Sequence, residues 1–138
     1  MPLPNMSTRR AYYFDVDLEL RDYDAAAEST TASETGIAFA GRDIDLAKVV
    51  VDHAAIGGTV DGSNYWTVSV EISDVVGGTY TEVATTGALA ATAATIELPL
   101  SGKLNEYKDT DSAFIRVTAT ETGTTAGDLT YGAYISPA

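Results

Sequence analysis

The sequence predicts an all-β fold, a single antiparallel β-sandwich of about seven or eight strands. Three observations carry that expectation. Apolar and polar residues alternate with a period of two in one segment after another, the pattern of half-buried strands. Thr, Val, Ala and Gly dominate the composition, and turn-forming clusters separate the alternating runs. The 138 residues suffice for one domain with its own core, and the lack of cysteine leaves its stability to packing alone.

Residues 1–10, MPLPNMSTRR, read as an extended arm, because Pro2 and Pro4 favour extended backbone and bring no N–H to a ladder. The sandwich is assigned to residues 11–138. Its first strand, Ala11 to Arg21, sets Tyr12, Phe14, Val16, Leu18 and Leu20 on one face, and Tyr13, Asp15, Asp17, Glu19 and Arg21 on the other. Asp15, Asp17 and Glu19 stand about 6–7 Å apart along such a strand, which suits a solvated face better than a calcium site. Asp22 to Ala40 has two readings. One is a short helix capped by Asp24 over Ala25–Glu28, followed by a short strand with Ile37 and Phe39; the other is a long functional loop.

Lys48 to Ile56 is rich in β-branched residues and predicts a strand with Val49 and Val51 on one face, joined by His53 where the alternation is continued. It carries His53, the sole histidine; without a second histidine or any cysteine, neither a zinc site nor a Ser–His–Asp triad is expected. Tyr65 to Val83 holds the most regular pattern. Trp66, Val68, Val70 and Ile72 oppose Thr67, Ser69, Glu71 and Ser73, Asp74 to Gly78 makes a turn, and Thr79 to Val83 returns as the second arm of a hairpin. Trp66 is expected in the core.

Thr85 to Ala94 reads as a loop or a tightly packed edge. Thr95 to Leu100 predicts a strand that Pro99 confines to an edge, and Ser101 to Asp111 is polar connecting sequence. In the last third, Ala113, Ile115, Val117 and Ala119 mark the core side of one strand. Leu129, Tyr131, Ala133 and Ile135 mark that of another, and the two predict a second hairpin across ETGTTAGD.

Formal net charge is −12. Arg9 and Arg10 stand in a first segment free of acids, so the rest of the chain carries six basic against twenty acidic side chains. Such a body repels phosphate backbones, and nucleic acid is not an expected partner. Neither a membrane span nor a secretory signal is expected, since there is no apolar run of about 18 residues and the first ten lack a hydrophobic stretch. No GxSxG, P-loop, dinucleotide fingerprint or HExxH occurs, so the chain is expected to be non-enzymatic and to use no cofactor.

YWTVSVEISDVVGGTYTEV, followed after about thirty residues by AFIRVTATETGTTAGDLTYGAYI, resembles small jelly-roll proteins that decorate or cement the capsids of tailed bacteriophages. The likeness covers roughly residues 60 to 138 and rests on pattern and composition. It implies a jelly-roll sandwich on the outer surface of a virion, made in a host cytoplasm, with the major capsid protein as partner at capsomer junctions. Repetition on a lattice adds self-association as a dimer or trimer. The interface candidates are Arg9, Arg10, Tyr12 and Tyr13 around the arm, with Asp24, Phe39 and Arg42 in and beside the 24–41 segment. The same segments are also similar to discoidin-type carbohydrate-binding jelly rolls, through Tyr65, Val68, Ser73 and Asp74 and through Phe114 to Val117. Tyr80 stands where that pattern has tryptophan, and the paired cysteines are missing. This second resemblance implies a glycan partner.

Overall fold

The structure, a computed structural model, describes residues 19–39, 47–100 and 113–137. These form nine strands: β1 (Glu19–Arg21), β2 (Ala32–Ser33), β3 (Ile37–Phe39), β4 (Ala47–His53), β5 (Tyr65–Ser73), β6 (Thr81–Ala88), β7 (Ala94–Pro99), β8 (Ala113–Thr122) and β9 (Tyr131–Pro137). They build two antiparallel sheets. One has the order β1-β9-β4-β7; in the other, β2 and β3 both pair with β8, followed by β5 and β6.

This order is that of a jelly roll. When β2 and β3 are taken as one interrupted strand, the chain is a nested antiparallel ribbon: β5 pairs with β6, β4 with β7, β2 and β3 with β8, and β1 with β9. Rolling the ribbon sends successive pairs to alternate sheets, and new ladders then join β4 to β9 and β5 to β8. The all-β antiparallel sandwich expected from the sequence is the observed fold.

The period-two pattern explains the core. Trp66, Val68, Val70 and Ile72 of β5 face Ala113, Ile115, Val117 and Ala119 of β8 across the ladder pairs Ile72–Ile115, Val70–Val117 and Val68–Ala119, and all are fully buried. From the opposing sheet come Val49, Val51, Leu98, Tyr131, Ala133 and Ile135, joined by Leu20, Leu100 and Leu129 in one continuous cluster. Burying side chains of this size contributes about 1.5–3 kcal/mol each, which offsets much of the ordering entropy of the strands.

Four expectations change. No helix forms at Asp24. Instead, Asp22 Oδ1 accepts the Asp24 N–H at 2.9 Å and the Ala25 N–H donates to the Asp22 carbonyl at 3.0 Å, closing a turn. Arg21 takes the Ala26 carbonyl at 2.6 Å, and Glu28 bridges Leu129 through two backbone bonds. A run of three alanines is too short to offset helix nucleation against these partners. Second, Arg21 is buried rather than exposed, because the ladder register shifts between Glu19 and Arg21 and both Leu20 and Arg21 turn inward.

Third, β6 runs on to Ala88, through much of the tract read as a loop or packed edge. Two irregularities in its pairing with β5 blur its alternation, and Val83 and Ala84 are both half-buried. Fourth, β8 and β9 do not form a hairpin; the connection after Thr122 arches from one sheet to the other. Period two tells which side of a strand meets the core, but either sheet would bury the same residues. Backbone bonds from Gly58 N to Ala126 O (3.0 Å) and Thr59 N to Thr125 O (2.7 Å) brace the arch, as does the indole of Trp66, which donates to Gly127 O at 2.8 Å.

Candidate interaction surface

The β5–β6 hairpin ends in Asp74 to Tyr80, and its tip is unusually constrained. Ser73, nearly fully buried, donates its hydroxyl to the Val75 carbonyl at 2.8 Å and accepts the Val75 N–H at 3.1 Å. Gly78 N–H closes the turn on the same carbonyl at 2.9 Å, while the Tyr80 hydroxyl donates to Val76 O at 2.8 Å. With the backbone held, Val75 and Val76 stand 56% and 49% exposed. An exposed apolar pair on a preorganised turn loses little further entropy when a partner covers it.

Tyr80 anchors the tip to the sheet. Arg116 lies over its ring at 3.8 Å from the centroid, in cation–π contact. The same guanidinium donates through Nε to Glu71 Oε1 at 2.8 Å, and Thr118 Oγ1 donates to that oxygen at 2.7 Å. Thr118 in turn bonds Ser33 of β2 at 2.9 Å, so one polar chain crosses the outer face of the five-stranded sheet. The far end of Tyr80 rests against Gly36, where there is no room for a Cβ.

Beside the tip lies an uncovered edge. Among the described residues β6 pairs with β5 alone, and its eight residues include a single charge, Glu82. Thr86 Oγ1 accepts the Val68 N–H in place of a ladder carbonyl, a local irregularity of the kind that twists sheet edges. The other backbone edge of β6 offers N–H and C=O groups to an added strand.

On the other side of the fold, Arg21 clamps the segment that follows β1. Its guanidinium donates to Tyr131 O at 2.8 Å and to Ala26 O, stacks over the Tyr131 ring at 4.5 Å, and stands 3.6 Å from Glu28 and 3.3 Å from Glu34. Burial holds the Tyr131 phenol far above its ordinary range, and its hydroxyl has no partner among the described residues. Burial, together with the adjoining Glu28 carboxyl, also raises the pKa of Glu34, against the lowering effect of Arg21. A carboxyl with a raised folded-state pKa holds its proton more tightly in the native state. Its contribution therefore favours folding more as pH falls from neutral toward the unfolded value of about 4.3. Glu34→Gln is expected to remove that component: the urea midpoint of the variant should exceed the wild type's by more at pH 7 than at pH 5, and a pH-independent difference would refute it.

Of the residues proposed from sequence, Arg9, Arg10, Tyr12, Tyr13 and Arg42 lie outside the described residues, as do the arm at 1–10, Asp15, Asp17 and the connecting sequence at 101–111. Asp24 is exposed in the turn after β1, whereas Phe39 is half-buried on β3 against the core, so these two do not build one site. Val75 and Val76 escape the sequence reading, and Tyr80 enters it only as the residue in place of the discoidin-type tryptophan. The available signal was a pair of valines inside a turn, where polar residues are usual.

The fold thus defines a jelly-roll β-sandwich whose best-organised exposed feature is an apolar hairpin tip beside an open strand edge. No protein-family model matches the chain, and no curated protein matches it significantly.

Proposed function

We propose that this chain is a non-enzymatic structural protein that decorates a larger protein shell. The shell that the sequence resemblance implies is a tailed-phage capsid, with the major capsid protein as partner and further copies of this chain as neighbours. The observation that carries the reading is the fixed Val75–Val76 tip next to the uncovered β6 edge, an arrangement suited to a flat protein surface rather than to a small substrate. The strong negative charge keeps free copies soluble before assembly. Repeated, individually modest contacts then gain avidity on a lattice.

Density-gradient fractionation of the native source, with the chain located by mass spectrometry, tests the reading. Stoichiometric co-migration with virus-sized particles is the expected result, and recovery only in free fractions would overturn it. The variant Val75→Asp/Val76→Asp should leave thermal unfolding within a degree or two, since about half of each side chain is exposed and neither belongs to the core cluster. Covering the exposed half of each valine contributes about 1 kcal/mol, so loss of both should lower shell affinity roughly 30-fold. Unchanged occupancy of the double variant on purified particles would remove the tip from the interface.

A further inference from the structure

The connection from β4 to β5 ends in a tight turn at Asp61 to Asn64, set against the arch that follows β8. The Asp61 N–H donates to Asn64 O at 2.9 Å and the Asn64 N–H to Asp61 O at 3.2 Å, so Gly62 and Ser63 are the two central residues. A smaller ring lies inside this one: Asp61 Oδ1 accepts the Ser63 N–H at 2.8 Å and an Asn64 Nδ2–H at 3.0 Å. Asn64 also ties the turn to the arch, since its Oδ1 accepts the N–H groups of Thr124 and Thr125 at 3.0 and 3.3 Å. Gly123 packs against Ser63 and Asn64 with no room for a Cβ.

Asp61–Gly62 is the only place in the chain where glycine follows an aspartate or asparagine. The turn does not require that glycine: its φ is not positive, and a Cβ there would meet nothing within 4 Å. Asp61, Gly62 and Ser63 are all exposed. Because Oδ1 reaches the N–H two residues on, the Asp61 side chain curls over the peptide bond that joins it to Gly62. That sets the carboxyl carbon beside the Gly62 nitrogen, which no side chain shields. The two donors on Oδ1 draw electrons from this carbon, as donors to a developing oxyanion do. They also hold the carboxyl below the usual carboxylate range, the Ser63 N–H most of all. The other oxygen accepts no bond among the described residues and is free to leave.

We propose that Asp61 is a site of spontaneous isoaspartate formation whose conversion releases the arch. The Gly62 nitrogen attacks Asp61 Cγ of the acid form. The N–Cγ bond forms, the Cγ–Oδ2 bond breaks, and Oδ2 leaves as water with the carboxyl proton and the Gly62 amide proton. A second water then opens the succinimide. Addition at Cγ restores aspartate, whereas addition at the main-chain carbonyl carbon leaves the chain running through Cβ and Cγ as isoaspartate. The mass of the chain is unchanged, and no oxidant or reductant enters. Asp22 supplies a contrast within the molecule. Its Oδ1 likewise accepts the N–H two residues on, at Asp24, but Tyr23 follows it, and a side chain there crowds the attacking nitrogen. Conversion at Asp61 lengthens the turn by one backbone atom, which breaks its pairing with Asn64 and draws Asn64 away from Thr124 and Thr125. Turn and tip lie at opposite ends of β5, so the site stands apart from the decoration reading.

The test is incubation of the full chain for several weeks at physiological temperature in a mildly acidic buffer, which populates the acid form of the carboxyl. Isoaspartate is measured by methylation with protein isoaspartyl methyltransferase and located by peptide mapping. It should appear first at residue 61, with Asp22 unconverted over the same period. Gly62→Ala should slow the conversion about tenfold, with a thermal melt no lower than the wild type's, because the open space around Gly62 accepts a methyl group. Amide exchange at Thr124 and Thr125 should quicken about tenfold in the converted chain, while β4 and β9 keep their protection. The chain unfolded in urea should convert no faster than the native one, since the turn supplies the approach of nitrogen to carbon. Absence of isoaspartate at residue 61, earlier conversion at another aspartate, an undiminished rate in Gly62→Ala, unchanged exchange at Thr124 and Thr125, or much faster conversion in urea would each overturn the proposal.

Discussion

Arg21→Ala is expected to destabilise the fold by about 3–5 kcal/mol, a large share of the roughly 5–15 kcal/mol that holds a domain of this size together. The loss has several sources. Tyr131 O and Ala26 O lose their donor, and the buried Tyr131 ring loses the cation above it. Glu28 and Glu34, whose side chains are only 17% and 28% exposed, are left facing one another without the charge that offsets them. Urea unfolding at pH 7 measures the effect, and hydrogen exchange should show the 22–36 segment opening first. The triple variant Arg21→Met, Glu28→Gln, Glu34→Gln should recover most of the loss, because replacing a whole buried ion cluster costs far less than removing one member. A cost below about 1 kcal/mol for Arg21→Ala would show that the cluster behaves as an exposed ion pair and does not clamp the segment.

Trp66→Ala should cost a similar amount, about 3–5 kcal/mol. The indole is fully buried among β5 and β8 residues, and its Nε1–H holds Gly127 O at 2.8 Å. Truncation leaves a cavity and a carbonyl without its donor at the point where the chain passes from β8 toward β9. Gly127 sits there at φ +87°, a conformation that glycine adopts without strain. At about 2.1 cal/mol/K of unfolding entropy per residue, the loss lowers Tm by about 10–17 °C. Circular dichroism melts measure it, and a shift below about 5 °C would mean that the arch is held by other contacts. Trp66→Phe should fall between the two, keeping most of the packing but not the hydrogen bond.

Both residues show how much is legible in the sequence. Trp66 begins an alternating run ending at Ile72, which puts it in the core, and that local rule survives in the sandwich. The same rule puts Arg21 on the polar face, yet it is buried, because a register irregularity in β1 is invisible to alternation. The alanines after Asp24 favoured a helix locally, but Arg21, Leu129 and the Asp22 side chain claim the backbone groups a helix would use. Of the candidate interface, only Asp24 and Phe39 fall in described residues. The tip valines were read as turn, since exposure depends on what packs nearby.

By itself, the sequence determined the all-β class, most of the strands and the side of each that meets the core. Those follow from a two-residue period that backbone geometry imposes locally. Only the tertiary structure decided which strands pair, that β8 and β9 belong to different sheets, and that Arg21 is buried. It also brought Tyr23 over Gly132 beside Asp52, residues far apart in the chain. The physical reason is that burial satisfies the pattern equally well with several partners. The choice among them rests on long-range ladder bonds, close approaches at glycine, and the pairing of buried polar groups, which no local stretch of sequence contains.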